Sequence, residues 1–171
     1  MGTRHLIAAF KDGEYKVAQY GQWDGYPSGQ GVNCLKYLKK YNKDKLLKAL
    51  SLSSFISKDD KTIGQGYLPE FNRDTSVGIL SLIEESNGLK LYNDMNFAKD
   101  SLFCEWAYVI DFDSDTFEVY KGFNTEKLTE GDRFYDEKFN IDEYKPVKLL
   151  SSYDLNDLPN ERAFIEENEE V

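Results

Sequence analysis

Alternating hydrophobic and polar positions predict two β-hairpins in this chain. Residues 3–10 alternate, Asp12-Gly13 is a strong hairpin-turn signal, and residues 14–20 supply the returning strand. Residues 103–112 are mostly apolar on both faces, which is typical of a central strand covered on both sides. An Asp-rich turn then leads into residues 116–121 as a second returning strand. A weaker strand is predicted at residues 144–150, at a sheet edge because Pro146 lacks an N–H donor.

Apolar residues at helical spacing predict three helices between the two hairpins. The first begins at Val32, and Asp44 is expected to cap a second that runs to Leu50. The third begins at Asn72 or Asp74 and ends at Asn87-Gly88. Lys58-Asp-Asp-Lys61 is expected to form a solvated loop.

These elements predict an α+β fold: a mostly antiparallel sheet with two or three helices packed on it. Residues 1–156 are expected to form a single domain. Residues 157–171 form an acidic C-terminal segment that is expected to be partly disordered, although Phe164 and Ile165 favour a short docked helix there.

The glycine-rich loop at residues 20–31 is the strongest candidate for a binding site. Its glycines and Pro27 fix an unusual backbone path, and Ser28 is expected to cap the helix that follows. The loop lacks the residues of a P-loop and the spacing of a dinucleotide fingerprint, so no known nucleotide motif is present. Aromatic rings, Asp24 and two arginines supply stacking, hydrogen bonding and positive charge. The predicted ligand-binding residues are Arg4, Gln22, Trp23, Asp24, Tyr26, Gly29, Gln30, Arg73 and Glu105.

Composition narrows the function classes. The chain has 171 residues and a net charge of −10, which disfavours direct nucleic-acid binding because phosphate backbones are repelled. Two distant cysteines and the lack of a long apolar run favour a cytoplasmic protein with no membrane segment and no signal peptide. No cofactor is implied.

Catalytic and metal chemistry has weaker support in the sequence. Asp111, Asp113 and Asp115 resemble the start of a calcium loop, but the later positions do not fit, so a hairpin turn is expected. His5 is the single histidine and is expected to be a hydrogen-bonded strand residue. Glu105 is expected to form an ion pair with Arg4 or Arg73, or else to lie in a cavity. No residue is assigned a catalytic role, and no metal site is predicted.

Four separated segments resemble an uncharacterised family of small microbial and viral proteins. They are the opening Met-Gly-Thr-Arg, the Trp-Asp-Gly-Tyr-Pro-Ser-Gly loop at 23–29, Arg-Asp-Thr at 73–75, and Cys-Glu-Trp-Ala-Tyr-Val-Ile-Asp at 104–111. The resemblance covers residues 1–123 and implies no catalytic role. It does imply that the loop, Arg73 and the strand that carries Glu105 belong to one domain and converge.

Three functions are compatible with these observations. The leading hypothesis is a module that binds a small polar or nucleotide-like molecule at the glycine-rich loop. The second is an acidic interaction or inhibitor protein, such as a viral inhibitor, that binds a basic partner surface; its affinity should fall steeply with salt. The third is a small hydrolase or transferase that uses Asp24 or Glu105.

Overall fold

The computed structural model describes residues 2–56 and 73–169. Its strands are β1 (His5–Lys11), β2 (Glu14–Gly21), β3 (Ser54–Phe55), β4 (Lys90–Leu91), β5 (Trp106–Asp111), β6 (Thr116–Lys121) and β7 (Lys148–Asp154). Its α-helices are α1 (Val32–Lys40), α2 (Lys43–Ser51), α3 (Gly78–Glu84) and α4 (Glu161–Glu169). A π-helical turn covers Pro27–Gly31, and a 3-10 helix covers Met95–Lys99.

The main sheet joins the two predicted hairpins. Its strand order is β2-β1-β5-β6-β7, and β1–β2, β5–β6 and β6–β7 are antiparallel. β1 and β5 pair in parallel, with His5 opposite Trp106 and Phe10 opposite Asp111. The predicted α+β fold with a mostly antiparallel sheet is therefore confirmed, with four helices in the described residues instead of two or three.

Both faces of the sheet are covered. On one face the helices pack against alternate strand residues such as Ile7, Tyr108 and Phe117. On the other face, residues 95–104 and 122–147 cover the opposite set, which includes Leu6, Ala8, Ala107 and Val109. All six residues of β5 are buried, which confirms a central strand within residues 103–112. Residues 103–105 precede the strand, and Phe103 is 46% exposed.

Several element boundaries differ from those predicted. α3 begins at Gly78 because residues 73–77 form a turn in which Ser76 has φ of 47°, a value that helices exclude. The last strand is an edge strand as expected, but it begins at Lys148, two residues after Pro146. The predicted helix start at Asn72 and the loop at residues 58–61 lie outside the described residues.

Part of the acidic C-terminal segment is helical. Residues 161–169 form α4, and the short docked helix that Phe164 and Ile165 favour is present there. Phe164 is fully buried and stacks on Phe117, with ring centroids 5.8 Å apart. The buried Asn168 side chain donates to the carbonyl of Phe164 and to the hydroxyl of Tyr153. Burial of one aromatic ring and one satisfied amide therefore holds this charged helix on the sheet layer.

Candidate functional site

The glycine-rich loop is fixed at its base by main-chain hydrogen bonds. The N–H of Gly25 donates to the carbonyl of Thr3 at 2.9 Å, and the N–H of Gln30 donates to the carbonyl of Asp24 at 2.7 Å. The buried Tyr108 hydroxyl donates to the carbonyl of Gly25 at 2.6 Å. Asp24 has φ of 57°, a left-handed conformation that Asp tolerates better than most residues. The loop is therefore a rigid extension of the sheet core.

The C-terminal helix α4 closes one side of this loop. The main-chain N–H and the hydroxyl of Ser28 both donate to the Glu169 carboxylate, at 3.1 and 2.9 Å. The prediction that Ser28 caps α1 is therefore wrong, because Gly31 stands at the N-cap and the Ser28 side chain binds Glu169 instead. Gly31 has no room for a side chain, since a Cβ there would lie 2.9 Å from the Phe164 ring.

Trp23 and Arg73 lie together on the loop surface. The Trp23 Nε1–H donates to Asp74 Oδ1 at 2.6 Å, and the Arg73 guanidinium lies 5.9 Å from the Trp23 ring centroid. The main-chain N–H of Gln22 donates to the carbonyl of Arg73 at 2.9 Å. These contacts attach the turn before α3 to the loop.

Asp24 and Tyr26 contact each other at the loop apex. The Tyr26 hydroxyl donates to Asp24 Oδ1 at 3.1 Å. This hydrogen bond, and then the charge of Asp24, raise the pKa of Tyr26. The Tyr26 phenol therefore stays neutral and orients the carboxylate.

Arg4 and Glu105 form a separate pair, as the ion-pair prediction proposed. Glu105 Oε2 accepts a hydrogen bond from the Arg4 main-chain N–H at 2.9 Å and lies 4.0 Å from Arg4 Nε. The Arg4 guanidinium lies 5.2 Å from the centroid of the Phe103 ring. Glu105 precedes β5 and is partly exposed, so its charge is both paired and hydrated. The pair therefore connects the two residues that immediately precede β1 and β5.

A cleft of about 550 Å³ opens beside the loop, and we call it the α1–α3 cleft. Its walls come from the end of the loop, from α1 and the following residue, and from the segment 74–84. Most of the lining residues are of polar type, and they include Gln30, Asn33, Lys36, Lys40, Ser76 and Ser81. Of the nine predicted ligand-binding residues, Gln30 lines this cleft directly. Asp74, which binds Trp23, also lines it.

Two tyrosines that line the cleft have raised pKa values. The Tyr37 hydroxyl donates to Glu84 Oε1 at 2.8 Å, and burial followed by this bond raises the pKa of Tyr37. Burial and nearby carboxylates raise the pKa of Tyr41 to about 12. Lys36 lies 3.8 Å from Glu161, with both side chains about half exposed. The cleft therefore offers neutral phenols at physiological pH, beside the exposed lysines of α1.

His5 lies behind the wall of this cleft. It is fully buried, and its Nδ1 lies 3.4 Å from the carbonyl oxygen of Thr3. Within the part of the chain that the structure describes, its Nε2 has no hydrogen-bond partner. Burial lowers the pKa of His5 to about 4, against smaller opposing effects of the Thr3 carbonyl and Asp24. The predicted hydrogen-bonded strand histidine is confirmed for one ring nitrogen and not for the other.

A second polar cluster lies on the opposite face of the sheet, beside a cleft of about 650 Å³. Arg133 donates to Asp111 Oδ2 at 2.5 Å and to the two oxygens of Glu118 at 2.9 and 3.0 Å. The Tyr120 hydroxyl also donates to Glu118, at 2.5 Å. This network fastens the 122–147 segment to β5 and β6. Arg133 carries no recognisable sequence signal, because it lies far along the chain from the two carboxylates.

The acidic residues between β5 and β6 form a hairpin turn, as predicted. Asp111 accepts hydrogen bonds from the main chain of Asp113 and Ser114. The two oxygens of Asp113 accept hydrogen bonds from the main-chain N–H groups of Asp12 and Gly13, each at 2.8 Å. The turn thus ties the two hairpins together.

Within residues 2–56 and 73–169, no group of three or more His, Cys, Asp or Glu side chains is arranged to hold a metal ion. None of the helices in those ranges has the length and apolar character that a bilayer crossing requires. Comparison of the chain with protein-family models, with curated proteins and with solved structures finds no match.

Proposed function

We propose that this protein binds a small polar, negatively charged molecule in the α1–α3 cleft. The observation that carries the proposal is the wall of the cleft, where ammonium, amide and hydroxyl groups from three segments face one space of about 550 Å³. That volume lies within the range of roughly 300–1,000 Å³ that is typical of small-molecule sites. The rigid loop beside it favours a preformed site.

Charge supports an anionic ligand. Lys36 and Lys40 are exposed on the α1 side of the cleft, in a chain whose net charge is −10. The carboxylates on the wall are already engaged: Asp74 accepts a bond from Trp23, and Glu84 accepts one from Tyr37. A phosphate or carboxylate on the α1 side would therefore meet Lys40 and would compete with Glu161 for Lys36, while Asp74 and Glu84 lie on the opposite wall.

Shape and hydrogen bonding favour a nucleotide-like molecule. Tyr41 is half-buried at the cleft, with its ring centroid 5.2 Å from that of Tyr37, so a planar ring has an aromatic surface to contact. Gln30 and Asn33 supply amide donors and acceptors for ribose or base atoms. In this arrangement Trp23 acts through its hydrogen bond to Asp74, and Arg73 lies over the Trp23 ring. Arg4 and Glu105 have no direct part.

Calorimetric titration with AMP, ribose 5-phosphate and adenosine tests this proposal. We expect the two phosphorylated compounds to bind and adenosine to bind more weakly. Lys36→Ala/Lys40→Ala should lower the affinity on the order of tenfold, because two charge contacts are lost. The control is Lys39→Ala, an exposed lysine of the same helix that does not line the cleft. Equal affinities in all variants, or no binding at millimolar ligand, would contradict the proposal.

A second candidate function, recognition of a protein partner, is favoured by a separate observation. Leu102, Phe103 and Phe123 are 40%, 46% and 52% exposed, and the Phe123 N–H donates to the carbonyl of Ser101, which places them close together. Exposed aromatic residues in one place are typical of binding surfaces. The acidic net charge would favour a basic partner, so capture should weaken with salt. A partner retained equally by Phe103→Ser/Phe123→Ser would exclude this surface.

A further inference from the structure

A histidine and a serine approach each other behind the wall of the α1–α3 cleft. His5 Nε2 lies 2.2 Å, and Ser76 Oγ lies 2.8 Å, from the point that a Cβ on Gly21 would occupy. The two polar atoms are therefore near neighbours, and the missing side chain of Gly21 makes the approach possible. Both residues are buried, with 0% and 3% exposure.

The hydrogen bonding of His5 favours the tautomer that a general base requires. Its Nδ1 lies 3.4 Å from the carbonyl oxygen of Thr3, so a proton on Nδ1 has an acceptor. The lone pair is then on Nε2, which has no hydrogen-bond partner among residues 2–56 and 73–169. A fully buried acceptor without a hydrogen bond destabilises the folded protein. Such acceptors are often found where the group has a functional role.

Ser76 lies between this histidine and the cleft. It forms part of the cleft wall, two residues before α3 begins. Its φ of 47° is unusual for a residue with a side chain and indicates local backbone strain. The hydroxyl is thus buried on the histidine side and adjacent to the space where a ligand would bind.

We propose that Ser76 is a nucleophile and His5 its general base in acyl transfer from, or hydrolysis of, a small ester or thioester with an anionic group. The proposal rests on the α1–α3 cleft being the ligand site. It replaces Asp24 and Glu105, which are paired with Tyr26 and Arg4, as the catalytic candidates. A rotation of the Ser76 side chain toward Nε2 would complete the hydrogen bond, which in ligand-free sites is often long.

The reaction is balanced within these two side chains and water. Ser76 Oγ bonds to the acyl carbon while its proton passes to His5 Nε2. The bond from the acyl carbon to the leaving alcohol or thiol then breaks, and the leaving group takes that proton. Water attacks the acyl-serine, gives a proton to Nε2, and the proton returns to Ser76 Oγ as the acid departs.

The test is labelling of the purified full chain by a fluorophosphonate probe, followed by intact-mass and peptide mass spectrometry. We expect a single adduct on Ser76 in the wild type. Ser76→Gly should give none, and glycine suits the left-handed backbone, so this variant should fold. His5→Asn should label at least about 100-fold more slowly. Ser51→Ala, which removes an exposed hydroxyl that does not line the cleft, should label like the wild type.

Melting temperatures of all variants establish that each is folded. An unlabelled wild type, an adduct on another residue, or unchanged labelling of His5→Asn would overturn the proposal. Titration with AMP tests the ligand site separately from the catalytic role of Ser76. A wild type that binds AMP but does not label overturns the catalytic proposal alone, whereas labelling without any ligand binding overturns the proposed ligand.

Discussion

Arg133 neutralises two carboxylates on the sheet face opposite the α-helices, and its replacement by alanine would leave them close together without a counter-charge. Asp111 and Glu118 are 5% and 8% exposed, and the guanidinium donates to both. Removing one partner of a buried ion pair typically costs about 3–5 kcal/mol, because the remaining charge stays desolvated. We take the lower end, about 3 kcal/mol, because the Arg133 side chain is 16% exposed and water can reach the site.

This loss should be visible as a lower melting temperature. For a chain of this size, each kcal/mol lowers the melting temperature by roughly 2–4 °C, so Arg133→Ala should melt about 6–12 °C below the wild type at pH 7. The control is Arg162→Ala, whose side chain is 89% exposed and pairs with Glu166 one helical turn away. Such a surface pair contributes at most about 0.5 kcal/mol.

The difference between Arg133→Ala and the wild type should depend on pH. Burial by itself would raise the pKa of Asp111, but hydrogen bonds from Ser114 and Arg133 outweigh it and lower that pKa. In the wild type this stabilisation is present above the ordinary carboxyl pKa and is lost as pH falls through the lowered value. In the variant, protonation of one carboxylate relieves repulsion, so its stability relative to the wild type improves as pH falls toward about 4.

Scanning calorimetry and urea unfolding at pH 7 and pH 4 measure both effects. We expect the difference in melting temperature between the wild type and Arg133→Ala to be smaller at pH 4 than at pH 7. The difference for Arg162→Ala should stay small at both pH values. A melting temperature for Arg133→Ala within about 2 °C of wild type at pH 7 would refute the assigned role of the network. A larger difference between the wild type and Arg133→Ala at pH 4 than at pH 7 would refute the electrostatic explanation.

Three further substitutions and one reagent test the packing. Gly31→Ala should destabilise by about 1–3 kcal/mol because its Cβ would meet buried rings, whereas Gly78→Ala, with open space at that position, should be neutral or stabilise by up to about 1 kcal/mol in thermal melts. Asp113→Ala should cost roughly 1 kcal/mol in urea unfolding, since two main-chain N–H groups lose a charged acceptor. Cys34 and Cys104, whose thiol pKa values burial raises, should react with a disulfide reagent only after unfolding; rapid reaction of the native protein would contradict their burial.

The local parts of the fold could be predicted because their signals are local. Asp12 and Gly13 have φ of 55° and 76°, which is the turn that the Asp-Gly pair indicates. The apolar faces of residues 103–112 predicted burial on both sides, and β5 is buried throughout. The parallel pairing of β1 with β5 has no local signal, because its partners lie about one hundred residues apart and depend on the helices between them.

The candidate site could be predicted only in part. The unusual composition of the loop identified a rigid segment next to a cleft, and Gln30 is on the cleft wall. The lysines of α1 carry no sequence signal of a cleft, because a cleft depends on what packs opposite the helix. Ser76 has a left-handed φ, and among the described residues His5 Nε2 has no hydrogen-bond partner. Both features depend on tertiary contacts around Gly21, so no pattern of residue types predicts them.

Chemical-shift mapping by NMR with AMP tests the central claim, that the α1–α3 cleft is the ligand site. We expect the side-chain amides of Gln30 and Asn33 and the main-chain amide of Ser76 to shift in a saturable way. The resonances of Lys36→Ala/Lys40→Ala should shift much less at the same AMP concentration. Saturable shifts confined to Glu105 and its neighbours, or to the Arg133 network, would contradict the claim and move the site elsewhere on the protein.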